Sequence, residues 1–520
     1  MSSGIRTAVR YLHHCRTTGV EDAERRRKEK QETERIRAGR GGRPELTPEQ
    51  RQTQENAKFP REICFEIHLL DKGAAEAERE TAMQSLKEQT YRQYRIGSAA
   101  EGEANYLVFM EEDGWLHPAA LYEIAGVICE TGAELLYTDE DYFDDPETPK
   151  GLNHPWHKPG YGPDTLRGCD LTGAFLICSR ELMKNTGTEQ YAEMTAEERR
   201  EASVRMAATA KRVERIPKVL YYRRIPAGGE IPLPAIRRVQ DPIAGEPLVS
   251  ILIPNRDHRE DLKRCIESVR EKTTWPRWEI IIIENNSSEA ETFRYYEELE
   301  RDERIRVIRR DGAFNYSAVN NAGFRAAKGG QILLLNNDTE VIAPDWIQEM
   351  LLYAQREDVG AVGAKLYYPD GTIQHAGIGV GIEIAAGHYF RGFPGDSGGY
   401  FGRMKYAQNV SAVTAACMMI PRHVYEEMNG LDESYSLMFN DIDLCLRIRE
   451  AGYLIVWTPW AELTHHESKS RGPEEASEAK KRFFVRETNR FLRRWCRVLE
   501  EGDPYYNPNL TRERGDFSLR

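Results

Sequence analysis

No run in this 520-residue chain approaches the roughly 18 consecutive apolar residues of a membrane-spanning helix. It does not open on the apolar stretch of a secretory signal, so the protein is expected in the cytoplasm. Its nine cysteines, at 15, 64, 129, 169, 178, 265, 417, 445 and 496, never take C-x-x-C spacing, which speaks against zinc and a disulfide framework. Cys129, Cys178 and Cys417 lie within apolar runs and read as buried reduced thiols. Positive charge is also in deficit: the net charge of −12 argues against nucleic acid as a partner. No G-x-G-x-x-G follows a strand and no P-loop sequence is present, which excludes a dinucleotide fold and a kinase-like nucleotide site.

What is there is a soluble composition, 40% hydrophobic and 30% charged, too long for one ordinary core. Residues 1–60 read as a polar leader, disordered or helical. Its basic run at 25–28 leaves peripheral contact with the inner face of a membrane open, although the mixed charges around it favour a solvated segment.

An internal repeat follows. Ser85-Leu86-Lys87-Glu88-Gln89-Thr90 matches Ser268-Val269-Arg270-Glu271-Lys272-Thr273, each after an apolar strand. YLVFMEEDGWLHP from Tyr106 matches ILLLNNDTEVIAP from Ile332, and TGAFLICSR at 172–180 matches TAACMMIPR at 414–422. Three matched blocks in one order indicate a duplicated domain, at 61–224 and 248–472, with a Pro/Gly-rich linker at 225–247 and a helix and tail at 473–520. The first copy is about 42 positions shorter between Thr90 and Asp113 than the second between Thr273 and Asp338, and so reads as degenerate.

The second copy alternates strand and helix, with strands expected at 248–254, 278–284, 305–309, 331–336, 360–367, 412–420 and 454–458. That alternation predicts a mainly parallel sheet with helices on both sides. Polar clusters end several of these strands: Asn255-Arg256-Asp257, Glu284-Asn285-Asn286, Asn336-Asn337-Asp338 and His465-His466; Asn440-Asp441-Ile442-Asp443 begins a helix. Each alone is an ordinary turn or cap. Five at matching ends are more than turns require, because strand ends of one parallel sheet converge on one crevice. A carboxylate there suits a hard divalent cation, and a second suits proton abstraction.

These motifs, LVSILIPNRD, EIIIIENNS, FNYSAVNNAG, LLLNNDTEVI, VTAACMMIPR, FNDIDLCLR and HHESKSRG, resemble the bacterial family 2 glycosyltransferases of the GT-A nucleotide-sugar fold, over residues 248–472. The nearest resemblance is to the tandem-domain members linked to O-antigen, rhamnan and other cell-surface polysaccharides. YTDEDYFD, HKPGYGPDTL and RIPKVLYYRR fit that pattern in the first copy, and DPYYNPNLT fits it in the tail. The resemblance implies an inverting, metal-dependent transferase using Mn²⁺ or Mg²⁺. It implies a UDP-, dTDP- or GDP-sugar donor and a saccharide or lipid-linked saccharide acceptor. Asp441 would be the catalytic base, and Asp338 with His465 would hold the metal. Pro254, Asn255, Arg256, Glu284, Asn286, Asn321, Asn336 and Asn337 would meet the nucleotide sugar; Ala415, Ala416, Cys417 and Asn440 would line the acceptor side. The chain departs from the pattern at Asn336, where the family often has Asp, and at Asn440, where it usually has Glu. The first copy lacks the base, and Tyr222 stands where relatives carry His. The loop from Gly387 to Tyr406 is expected to help choose the acceptor. A non-catalytic sugar-binding scaffold is the alternative.

Overall fold

The computed structural model describes residues 45–97, 104–143, 154–225, 229–466 and 478–520, with side chains given from 482 in the last segment. The leader's basic run and the SKSRG end of the last motif lie outside them. The chain divides into two compact units: one runs to Arg237 and takes in Asn507–Asn509, and the other comprises Arg238–Tyr506 and Leu510–Arg520.

The first unit carries β1 (Phe65–Leu70), β2 (Tyr94–Ile96), β3 (Tyr106–Glu111), β4 (Trp115–Leu116), β5 (Leu135–Phe143), β6 (Phe175–Ser179) and β7 (Val213–Arg224), in the spatial order β2-β1-β3-β6-β5-β7-β4. The second carries β8 (Val249–Asn255), β9 (Trp278–Glu284), β10 (Ile305–Arg309), β11 (Gln331–Leu335), β12 (Thr339–Val341) and β13 (Val359–Tyr367). It continues with β14 (Ile373–His375), β15 (Ile378–Val380), β16 (Ala386–His388), β17 (Gln408–Asn409), β18 (Cys417–Pro421) and β19 (Leu454–His465). Its main path is β10-β9-β8-β11-β18-β13-β19-β12.

Without β10, the two paths are one path. β1 pairs in parallel with β2 and β3, as β8 does with β9 and β11. β6 runs antiparallel to β3 and β5, as β18 does to β11 and β13. β10 and the helices Ala290–Leu299 and Tyr316–Ala326 fall within the stretch that the first copy shortens.

The α/β class agrees with the sequence reading, but the sheet is mixed rather than mainly parallel. β18 lies antiparallel between β11 and β13, and β12 antiparallel to β19. A buried strand is an apolar run in either direction, so periodicity does not report polarity.

In the second unit, alternate residues of each apolar run enter opposite cores. Ile251, Ile253, Ile280, Ile282, Leu333 and Leu335 join one; Leu252, Ile281, Ile283, Ile332 and Leu334 join the other. This two-sided burial explains why these strands read as unbroken apolar runs. The helix Arg259–Lys272 buries Leu262, Cys265, Ile266 and Val269 on one face. Tyr316–Ala326 packs tightly enough that a Cβ at Gly323 would stand 2.7 Å from Ile283 Cδ1. All eight described cysteines are free thiols; Cys178 and Cys417 are buried, whereas Cys129 is half-buried.

Candidate active site

The polar ends of β8, β9 and β11 form one hydrogen-bonded floor. Asn337 Nδ2 donates to Asn255 Oδ1 at 2.6 Å, and Asn255 Nδ2 donates to the Tyr296 hydroxyl at 2.7 Å. Tyr296 donates to Glu284 Oε2 at 2.7 Å, and Glu284 also receives the Ser287 amide and hydroxyl. Glu284 is expected to face the nucleotide, yet its carboxylate is engaged by Ser287 and Tyr296, so here it shapes the floor. Pro254 is buried beneath it, and Arg256 projects to solvent. Asn286 takes a left-handed φ of 61° and donates to the Gly312 carbonyl at 2.5 Å. Asp257 accepts the Ser288 and Glu289 amides ahead of the helix Ala290–Leu299. Burial opposes its charge, but those bonds hold its carboxyl below the ordinary range.

Beyond β11 the chain turns through Asn336, Asn337 and Asp338 into β12, whose Thr339 pairs with His465 on β19. That pairing brings His465 Nε2 to 3.1 Å from Asp338 Oδ1. Asp338 Oδ1 is buried and has no hydrogen bond of proper geometry among the described residues. Asn336 Nδ2 lies 3.2 Å from the same His465 nitrogen. His466 turns away to Glu340, 3.2 Å off.

No group of three or more His, Cys, Asp or Glu side chains forms a metal cage among the described residues. Two side chains with an unsatisfied buried oxygen still fit a hard divalent cation of the kind completed by water and substrate phosphate, because such ions are often held by one or two carboxylates plus phosphates.

Tyr316, the first residue of its helix, links this turn to the acceptor side. Its hydroxyl is 3.2 Å from Asn336 Oδ1 and 3.1 Å from the Ala415 carbonyl. The Ala415 amide donates to Asp441 Oδ2 at 3.2 Å, and the Ala416 carbonyl receives the Asn336 amide. Ala415 and Ala416 therefore contribute backbone groups. Cys417, expected beside them, is fully buried in β18, its thiol pushed upward by desolvation and packed in the core.

Asn440 and Asp441 begin the helix Asn440–Glu450, after Phe439 at a left-handed φ of 61°. The two aspartates of this motif separate completely. Asp441 is partly exposed, whereas Asp443 is fully buried and accepts from Arg447 Nε at 2.9 Å and Trp495 Nε1 at 3.0 Å. Glu487, from the helix Glu478–Arg494, receives the Ser436 and Met438 amides and so fixes the approach to Asn440. Asn321 is expected on the donor side, but its amide donates to the Leu431 carbonyl and Glu433 and accepts from Tyr425 and the Leu431 amide. That makes it a clamp on the loop before Asp432.

β14 adds residues that the motif reading passes over. Gln374 Oε1 lies 2.7 Å from His465 Nδ1. Its neighbour His375 faces His388 at 3.0 Å between Nδ1 atoms, and its Nε2 is 3.5 Å from the Thr414 amide. Full burial drives His375 well below the ordinary histidine range, so it is neutral. His388 ends β16, at the start of the loop expected to choose the acceptor. Phe390 and Tyr389 in that loop pack on Phe517 from the tail, each with ring centroids 4.9 Å apart. The one signal for Gln374 and His375 was a polar pair between Ile373 and Ala376, two of the three residues of β14. Tyr316, Tyr296 and Glu487 had none, since each acts through residues distant in sequence.

In the first unit, strand register sets Glu111, Glu112 and Asp113 where the second has Asn336, Asn337 and Asp338. Its own cations meet this turn. Lys72 and Arg223 pair with Glu111 at 2.9 Å each, and Arg79 pairs with Glu112 at 2.6 Å. Tyr222 stacks on Trp115 at 4.0 Å.

Three protein relatives bear on this geometry. The chain is 39% identical over 453 residues to the uncharacterized protein y4gI of Sinorhizobium fredii, covering 80% of this chain and 49% of that one. It is 33% identical over 482 residues to the O-antigen biosynthesis protein RfbC of Myxococcus xanthus, covering 85% and 37%. A shorter match, 27% over 154 residues, covers 28% of this chain and 50% of an N-acetylglucosaminyl-diphospho-decaprenol L-rhamnosyltransferase of Mycobacterium tuberculosis. The chain thus spans half or less of the length of these relatives. No helix among the described residues is long and apolar enough to cross a membrane. Residues 250–428 match the model for glycosyl transferase family 2, and the chain carries a family 2 glycosyltransferase domain.

Proposed function

We propose that the domain at 248–472 transfers a sugar, with inversion, from a nucleotide-sugar donor to a hydroxyl of a growing cell-surface polysaccharide or its lipid-linked precursor. The observation that carries this is the link through Tyr316, which joins the Asp338–His465 pair to Asp441 across one site. The relatives named for O-antigen biosynthesis and for rhamnosyl transfer to a decaprenol-linked sugar support the acceptor class.

In this reading the floor of Asn255, Asn337 and Glu284 receives the nucleotide, with Arg256 at its rim. Asp338 and His465 hold a divalent cation, Mn²⁺ or Mg²⁺. Such a cation, when bound, supplies Lewis-acid stabilisation of the departing diphosphate. Asp441, oriented by the Ala415 amide, takes the acceptor's hydroxyl proton as that oxygen bonds to the anomeric carbon. The bond from that carbon to the diphosphate oxygen breaks on the opposite side, which inverts the centre. The domain at 61–224 is non-catalytic, its acidic turn neutralised by Lys72, Arg79 and Arg223.

The test is transfer by wild type and Asp441→Asn across UDP-, dTDP- and GDP-sugars, with the product's anomeric configuration read by NMR. Asp441→Asn should bind donor as wild type does and lose on the order of 10²–10⁴-fold in kcat. Near-normal turnover by the variant, or a retained configuration, would overturn the assignment.

A further inference from the structure

His465 has two ring nitrogens, and which one carries the proton decides whether the other can hold a cation. Gln374 settles that choice by geometry. Its Oε1 is 2.7 Å from His465 Nδ1, and its Nε2 donates to the His465 carbonyl at 3.4 Å. Reversing the amide would set its oxygen against that carbonyl, so the orientation shown is the one that satisfies both contacts. An amide oxygen only accepts, and the proton therefore sits on Nδ1.

The Nε2 side agrees. Asn336 Nδ2 stands 3.2 Å from His465 Nε2. A bare Nε2 accepts that N–H, whereas a protonated one would clash with it. The single lone pair of Nε2 thus lies between Asn336 Nδ2 and Asp338 Oδ1, 3.1 Å away, an oxygen that receives no well-formed hydrogen bond among the described residues, and a cation beside Oδ1 would take that lone pair in place of the Asn336 contact. Two lone-pair atoms facing each other at that distance repel unless something positive sits beside both.

We infer that Gln374 is a positioning residue. By holding the proton on His465 Nδ1, it prevents an ordinary histidine–aspartate hydrogen bond from closing the pair and keeps Nε2 and Oδ1 open to a divalent cation. Gln374 is buried on β14, which joins the sheet through β13, so its reach to the end of β19 is set by strand register. Partners that orient a metal-binding histidine in this way are commonly worth 10–100-fold in metal affinity.

This inference rests on the metal reading of Asp338 and His465, and the experiment separates the two. The full-length chain, metal-free and labelled with ¹⁵N-histidine, is studied by long-range ¹H–¹⁵N NMR at neutral pH, with His465→Asn to assign the ring. Wild type should show His465 protonated at Nδ1 alone. Gln374→Leu, close in volume but with no acceptor, should move the proton to Nε2. Gln374→Glu, which keeps an acceptor, should leave it on Nδ1. In calorimetric titration with Mn²⁺, Gln374→Leu should bind about 10–100-fold more weakly than wild type and Gln374→Glu should bind comparably. Circular dichroism checks that each variant is folded; if Gln374→Leu is not, Gln374→Glu against wild type still reports the tautomer. A wild-type ring protonated at Nε2, or a tautomer unmoved in folded Gln374→Leu, would overturn the inference. If wild type binds no Mn²⁺ while the tautomer still switches, the metal reading fails and the hold of Gln374 on His465 stands.

Discussion

Replacing Asp443 by Asn separates folding from chemistry within a single four-residue motif. Asp443 has no exposed surface, and its carboxylate accepts from Arg447 Nε at 2.9 Å and Trp495 Nε1 at 3.0 Å, with Arg494 at 3.3 Å. Removing one member of a buried charge pair costs about 3–5 kcal/mol, because the remaining charge is left uncompensated. Arg447 keeps its bonds to the Met428 and Gly430 carbonyls, and Arg494 is partly exposed and retains Asp432, so solvent and neighbours absorb part of the loss. Asp443→Asn should therefore fall at the lower end, about 3 kcal/mol. At about 2–4 °C per kcal/mol for a unit of this size, its calorimetric transition should drop by roughly 6–12 °C. Asp441→Asn removes a carboxylate from a partly exposed helix start and should cost about 1 kcal/mol or less. Guanidinium unfolding and calorimetry of the full chain, followed by transfer assays below the transition, make the comparison. An Asp443→Asn variant within about 1 kcal/mol of wild type at unchanged m-value would refute the claim that this carboxylate ties the Asn440–Glu450 helix to Trp495.

His117 in the first unit is held neutral by burial, its pKa lowered from 6.5 to about 4. The unfolded chain then binds the extra proton first, so stability present above pH 6.5 is lost as pH falls toward 4, by about 1.4 kcal/mol per unit. His117→Gln should flatten the stability profile between pH 6 and 5 by about that slope, and an unchanged slope counts against it. Gly323→Ala sets a Cβ 2.7 Å from Ile283 Cδ1 and 2.9 Å from its Cγ1, and should cost roughly 1–3 kcal/mol in denaturant unfolding. If only the second unit is catalytic, Asp441→Asn should leave no transfer attributable to the first unit, and Glu111→Gln should leave turnover unchanged; a substantial fall in turnover in folded Glu111→Gln would point to a second active site.

Much of this protein is legible along the chain. Unbroken apolar runs marked β8, β9 and β11 because both faces of those strands are buried, and repeated blocks marked a duplication that the shared strand order bears out. The polar strand ends marked where the floor would be. Periodicity carries no strand direction, so the antiparallel insertion of β18 needed the sheet itself. Nor can a short motif say which of its side chains turns inward. Asp443 and Asn321 became locks because Trp495, Arg447 and Leu431 lie beside them in space, and Glu284 became part of a floor because Tyr296 reaches it.

By itself, then, the sequence determined the α/β alternation, the duplicated order and the residue types that meet at the strand ends, because burial and turn chemistry are local properties. The tertiary structure alone decided which of those residues face one another. β12 and β19 had to pair before His465 could stand 3.1 Å from Asp338, and β14 had to join β13 before Gln374 could hold that histidine. Tyr316 joins the two sides of the site across contacts that span up to 99 positions of chain. Contacts of that range follow from strand register, which no local pattern encodes.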